Sequence, residues 1–234
     1  MSFWSIDVFE LRLMAMRAGI ALVVSVCGLA MTLNSAGAQT TASDVPIGFY
    51  IGIGAGGTMP TNASALVSKA AKDTPTPLTF RGGYKIVGAA GLKWNSNIRS
   101  ELEFGFRNAE VHHFAGVGAS GSQGIINFGA NVLYDMNLSA PASPYFGVGL
   151  GMAHSHWGNV NAGAASDNFS GNNMTLQWQL IGGLNVPLGG TTYLFTDYRY
   201  IGVSATTFNG SAGQVLHGYN DHSHNVLAGL RFFL

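Results

Sequence analysis

The chain ends in His222-Ser-His-Asn-Val-Leu-Ala-Gly-Leu-Arg-Phe-Phe-Leu234. Taken every second residue, His224, Val226, Ala228, Leu230, Phe232 and Leu234 fall on one face, and Asn225, Leu227, Gly229, Arg231 and Phe233 on the other. An apolar stripe of period two marks a strand with one oily face, here opposed by a face that carries an arginine. A strand at a chain end has an unpaired edge, which aggregates in water and is intolerable in lipid. Pairing with the first strand removes that edge, so the stretch predicts a closed barrel.

The same alternation predicts seven strands upstream. In residues 47–57, Ile47, Phe49, Ile51, Ile53 and Ala55 oppose Tyr50 and a row of glycines that leaves room for long side chains from across a narrow lumen. In residues 83–94, Tyr84, Ile86, Ala90, Leu92 and Trp94 oppose Lys85, Val87, Ala89 and Lys93. Residues 98–108 are the clearest: Ile98, Leu102, Phe104 and Phe106 oppose Arg99, Glu101, Glu103 and Arg107. A charged face opposite so apolar a one predicts lipid outside and charges in the lumen.

Strand four sets Ile126, Phe128, Ala130, Val132 and Tyr134 against Asn127, Asn131 and Asp135. Strand five sets Phe146, Val148, Leu150 and Met152 against glycines and Ala153. Strand six sets Met174, Leu176, Trp178, Leu180, Leu184 and Val186 against Thr175, Gln177, Gln179 and Asn185. Strand seven places Leu194, Tyr198 and Tyr200 outward and Asp197 and Arg199 inward, with Tyr193 and Phe195 blurring its start. Connections run long, short, long, short, long, short, long, the pattern of short periplasmic turns and long external loops. The first long connection, residues 58–80, has no period and reads as a loop.

Composition agrees. Only 9% of residues are charged, 33 are glycine, and the formal net charge is zero without any basic run, so nucleic acid is not an expected partner. At the N-terminus, Arg17 precedes an apolar segment, residues 18–33, and Ala36-Gly-Ala38 gives the small-x-small pattern of a cleavage site. Residues 1–38 therefore read as a signal peptide rather than a membrane anchor, with 1–15 an extension if translation starts at Met14 or Met16. Residues 39–46 read as a periplasmic lead-in and 47–234 as the barrel domain. The only cysteine, Cys27, lies in the signal, so no disulfide framework or thiolate chemistry is expected in the mature chain.

Gly229-x-x-Phe232-x-Leu234 resembles the C-terminal assembly signal of bacterial outer-membrane barrels, although Leu227 stands where that signal usually has a polar residue. With Gly48-Phe-Tyr-Ile-Gly-Ile-Gly54 and Phe195-Thr-Asp-Tyr-Arg-Tyr-Ile-Gly202, the mature chain resembles the small outer-membrane β-barrel family of the OmpA transmembrane domain, opacity-type proteins and "porin family" surface antigens. The resemblance implies an eight-stranded antiparallel barrel in the outer membrane of a Gram-negative bacterium. Its expected surroundings are outer-membrane lipid, lipopolysaccharide and, during biogenesis, the barrel-assembly machinery. A monomer is expected. With no periplasmic peptidoglycan-binding domain after strand eight, cell-wall tethering is not implied.

The candidate functional groups are the inward charges Lys85, Lys93, Arg99, Glu101, Glu103, Arg107, Asp135, Asp197, Arg199 and Arg231. Eight strands enclose a lumen that side chains alone can fill. A lone buried charge costs several kcal/mol, so these groups must pair. They form either a plug or a narrow ion path. All seven histidines lie toward the loops, and the pairs His154/His156 and His222/His224 are candidate metal ligands. Ser155 and Ser223, each between two histidines, invite comparison with lipid A deacylase barrels. Neighbours on a strand point to opposite faces, however, so neither serine meets its flanking imidazoles. Neither an enzyme nor a cofactor is expected. Gly52-x-Gly54-x-Gly56 precedes no helix, so a nucleotide fingerprint is not read from it. Function is expected in the external loops, as a structural and surface-interaction role of adhesin or antigen type, with a small-solute channel as the alternative and an outer-leaflet lipid enzyme as a third reading.

Overall fold

The computed structural model describes residues 46–69, 72–95, 97–136, 138, 141–161, 168–210 and 215–234. The expected signal peptide and all of the lead-in except Pro46 lie outside them. The described residues fold into eleven strands: β1 Gly48–Pro60, β2 Ala63–Lys69, β3 Lys72–Phe80, β4 Gly83–Lys93, β5 Ile98–Phe114, β6 Val117–Gly118, β7 Ser120–Asp135, β8 Ser143–Asn161, β9 Asn168–Gly189, β10 Thr192–Gly210 and β11 Val215–Phe233.

Eight of them close a ring. Each pairs antiparallel with its neighbour in the order β1, β4, β5, β7, β8, β9, β10, β11, and β11 returns to β1 with Tyr50 opposite Phe233 and Ser223 opposite Pro60. The terminal strand finds the partner its edge demands. Leu234 N–H still donates to Phe49 O at 2.9 Å.

With the exception of Val186, the face assignments hold around the ring. Phe49, Ile53, Leu102, Phe104, Phe128, Val132, Val148, Leu150 and Leu180 are exposed, while the polar residues between them are buried. Exposed aliphatic and aromatic side chains on every strand form the wall that lipid must cover. Tyr193 and Phe195, ambiguous by pattern, point inward: Tyr193 packs on Phe233 at 5.5 Å, and Phe233 on Tyr50 at 4.9 Å. Val186, expected outward, is buried beside Asn185 where β9 pairs with Leu194 of β10.

Asn95 Oδ1 accepts from the backbone N–H groups of Asn97 and Ile98, both at 2.9 Å, and reverses the chain between β4 and β5.

Residues 58–80 are not the aperiodic loop their composition suggests. β2 and β3 form a hairpin, with Leu66 opposite Pro75. β2 pairs with β11 through Leu66, Val67 and Ser68 opposite His217, Leu216 and Val215. β3 pairs with β5 through Leu78 opposite Phe114 and Phe80 opposite Val111. Pro75 and Pro77 hid this hairpin, because proline donates no ladder bond. Pro77 O accepts from Ala115 N–H at 3.0 Å, so its nitrogen also faces the β5 side and no bond to β2 is lost.

Spanning a membrane takes about 9–11 residues of tilted strand, whereas β9 has 22 and β8, β10 and β11 have 19 each. The excess projects on the loop side as a collar. β1 and β4 stop short of it, and β2 and β3 take their places between β11 and β5. Inside the collar, Leu78, Val111, Phe114 and Leu216 make a small apolar core.

Candidate functional site

All ten predicted lumen charges are buried, none above 3% exposed. The turn-side half is organised by Arg99. Its Nε donates to Asp135 Oδ1 at 3.0 Å and its Nη1 to Glu101 Oε1 at 2.9 Å, while Lys93 Nζ holds the other Asp135 oxygen at 3.0 Å. Tyr50 Oη donates to Glu101 at 2.8 Å, and Arg231 approaches the same oxygen at 3.5 Å. The guanidinium of Arg99 lies 4.5 Å from the Tyr145 ring centre, and that of Arg231 lies 4.5 Å from the ring centre of Phe195. Tyr50 reaches across because Gly91 leaves the space: a Cβ there would collide with the tyrosine ring.

The middle is organised by Arg199, which grips Asp197 with Nε at 2.9 Å and Nη2 at 3.0 Å and pairs with Glu103 through Nη1. Asn131 Nδ2 donates to Glu103 at 3.0 Å, Gln179 Nε2 to Asn131 Oδ1 at 2.7 Å, and Tyr145 Oη to Asp197 at 3.1 Å. Lys85 Nζ donates to Asn127 Oδ1 at 3.1 Å. Nearer the collar, Arg107 pairs with Asp221.

Asp221 lies one residue upstream of the stretch from His222 that reads as the terminal strand, and within β11. Its parity with Ser223 and Asn225 places it on the inner face of β11, a signal the sequence does contain. With Asp221 the lattice has six cations and five carboxylates, all on ring strands. Such an array holds its members by mutual pairing.

The histidine pairs are not brought together. His154 and His156 lie on β8, and His222 and His224 on β11, strands that are not neighbours in the ring. Among the described residues no group of three His, Cys, Asp or Glu side chains is placed to hold a metal ion. His222 and His224 join an outward aromatic belt: His222 stacks on Tyr200 at 5.8 Å with the rings 9° apart, His224 Nδ1 is 2.6 Å from Tyr198 Oη, and Trp178 packs on Tyr200 at 5.5 Å. At the turn end Tyr134 packs on Phe146 at 5.4 Å, giving the two aromatic girdles of a membrane barrel. Trp157's side chain lies outside the described residues. Ser155 and Ser223 face the lumen and are buried, away from the flanking imidazoles.

The assembly-signal residues lie at the seam. Gly229 pairs with Gly54 of β1 at a close approach where a Cβ would collide with the backbone oxygen of Ile53. Phe232 and Leu234 share the outward parity of β11.

In the collar, Ser68 Oγ bonds Asp73 and lies 2.9 Å from His217 Nε2, which is 3.5 Å from Asp73 Oδ1. The Ser68 hydroxyl and then His217 hold the Asp73 carboxyl below the ordinary carboxylate range. Burial, His113 and Arg81 hold His112 below the ordinary imidazole value.

A closed ring, oily outside and charged inside, is the construction of an outer-membrane barrel. Residues 27–232 match the family described as outer membrane protein beta-barrel domain. The chain belongs to that family. Family membership places it in the Gram-negative outer membrane. The solved structure of the outer membrane protein OprG from Pseudomonas aeruginosa is similar, with a TM-score of 0.62 at 15% identity over 80% of this chain and 97% of that one. Neisserial surface protein A, NspA, has a TM-score of 0.50 at 18% identity, again over 80% and 97%. At these identities the likeness concerns the fold. No curated protein matches.

Proposed function

We propose that this protein is a closed, non-conducting barrel with a structural and surface-interaction role, holding its collar at the cell surface. The observation that carries this reading is the lumen lattice: Arg99, Glu101, Asp135, Arg199, Glu103 and Asp197 are all buried and tied into ion pairs within β5 and β10, between neighbouring β5 and β7, and across the ring from β10 to β5. Moving an ion through would require separating paired charges in a low-dielectric interior, which costs several kcal/mol per pair. What remains accessible is the collar, where β2 and β3 lengthen the wall beyond the membrane and present the external connections.

The test is conductance of the refolded chain in a planar bilayer, with Arg99→Ala and Glu101→Ala beside the wild type. A silent wild type supports the reading; steady channels altered by either substitution overturn it in favour of the small-solute channel. One observation favours that second reading: cations outnumber carboxylates by one, and Lys85 is held by an amide oxygen rather than a carboxylate. Such a channel would prefer anions. For the outer-leaflet lipid enzyme, mass analysis of lipid A with and without the protein is decisive, and unchanged acylation removes it.

A further inference from the structure

The outer wall has a notch where β5, β7 and β8 leave the apolar band. Three rungs of the ladder define it. Phe104, Phe128 and Met152 form an exposed, wholly apolar rung. One step toward the collar are Phe106, Ile126 and His154, and one further are Asn108, Gly124 and His156. Gly124 leaves the middle of that last rung without a side chain: a Cβ there would find only the edge of Phe106, at 3.9 Å. The resulting crevice, about 380 Å³, is lined by Phe106, Asn108, Ser122, Gly124, Ile126 and the two histidines. That volume lies within the range of small-ligand sites.

Polarity changes along the crevice in the direction of the membrane normal. Its inner end is aromatic and aliphatic, continuous with the lipid-facing wall; its outer end offers an amide, a hydroxyl and two imidazoles. Exposed Glu110 stands opposite Ser122 at the collar-side rim, so the rim carries a carboxylate. Sugar hydroxyls can donate to Glu110 and accept from Asn108. Imidazole and phenyl faces suit the C–H face of a sugar ring, and acyl chains suit Phe106 and Ile126.

We infer that this notch is a binding site for a glycolipid of the surrounding outer leaflet, sugar against Gly124, Asn108 and His156 and acyl chain along Phe106 and Ile126. The inference needs only the membrane placement of the ring, so it stands or falls independently of lumen conductance.

The full-length mature chain is refolded in detergent, incubated with purified lipopolysaccharide or with phosphatidylglycerol, and bound lipid is counted by native mass spectrometry. Wild type is expected to retain one lipopolysaccharide per chain. Gly124→Leu, which fills the notch, is expected to lower retention at least tenfold, and Val148→Leu, on the outer wall away from the notch, to leave it unchanged. Should Gly124→Leu fail to give a heat-resistant fold, the pair Asn108→Ala and His156→Ala, which keeps the notch open, is expected to lower lipopolysaccharide retention without changing the folded yield. Undiminished retention in the folded variants overturns the site. So does equal retention of phosphatidylglycerol, or a second copy of the chain in place of the lipid.

Discussion

The two arginines that organise the lumen differ in what they leave behind. Without Arg99, Asp135 keeps Lys93, and Glu101 keeps Tyr50 with Arg231 nearby. Without Arg199, Asp197 keeps the Tyr145 hydroxyl and Glu103 its amide donors, with Lys85 near both but directly paired to neither. Breaking a buried pair costs about 3–5 kcal/mol because the survivor is left uncompensated. Arg199→Ala should reach that range and Arg99→Ala fall clearly below it, as measured by urea unfolding in lipid vesicles; the reverse order would mean the pairing is misassigned. On the other face, Phe104 is 57% exposed in the middle of β5. Phe104→Arg should cost about 2–4 kcal/mol in the same assay, since a charge at the bilayer midplane is unpaired. A stable variant would put Phe104 away from lipid.

Single strands were legible because period two separates lipid from lumen, and that separation is chemical here: Leu102 and Phe104 against Glu101 and Glu103 admit one orientation. Legibility failed where both faces have one character. Tyr193 and Phe195 line an aromatic floor, so the alternation vanished although the strand did not. The β2–β3 hairpin was masked by two prolines, and its pairing with β11 joins residues about 150 positions apart, a register no local pattern encodes. Asp221 escaped because β11 begins at Val215, seven residues before the apolar alternation that starts at His222 makes it visible.

The collar contacts also titrate. Asp73 is held below its ordinary value, so its contribution is present above about pH 3.9 and is lost as pH falls through the folded value. His112 is also held down; as an imidazole kept neutral, it stabilises fully above about pH 6.5 and progressively less below. Both signs agree. Acidification from pH 7.5 to 2.5 should lower the protection factors of the Leu66 to Ser68 amides, corrected for the intrinsic slowing of exchange in acid, while those of β1 hold; unchanged protection factors at Leu66 to Ser68 would refute the coupling. At the other end of β11, deleting Phe232 to Leu234 removes the Leu234–Phe49 bond and the Phe233–Tyr50 packing. Less protein should reach the heat-resistant folded form in cells; an unchanged yield would make the terminal motif incidental to assembly.

At the scale of the molecule, ring and collar are two layers that share six strands. β1 and β4 pair through eleven rungs, from Gly48 opposite Lys93 to Thr58 opposite Gly83, none of which involves β2 or β3. Every strand of the ring thus keeps both neighbours if the hairpin is absent, and the charge lattice, built wholly on ring strands, keeps its partners. The collar does not: Val215, Leu216 and His217 of β11 lose β2, Phe114 and Val111 of β5 lose β3, and Leu216 loses Leu78 from its small core. Replacing residues 61–82 by a short turn should therefore leave the folded form heat-resistant and the lattice closed, while opening two new edges outside the membrane. Limited proteolysis of the shortened protein in vesicles should cut near residues 111–118 and 211–217 and stop there, protecting the spanning segments. Loss of the heat-resistant form would mean the ring depends on its collar to close; resistance to cleavage would mean the outer strands hold without the hairpin.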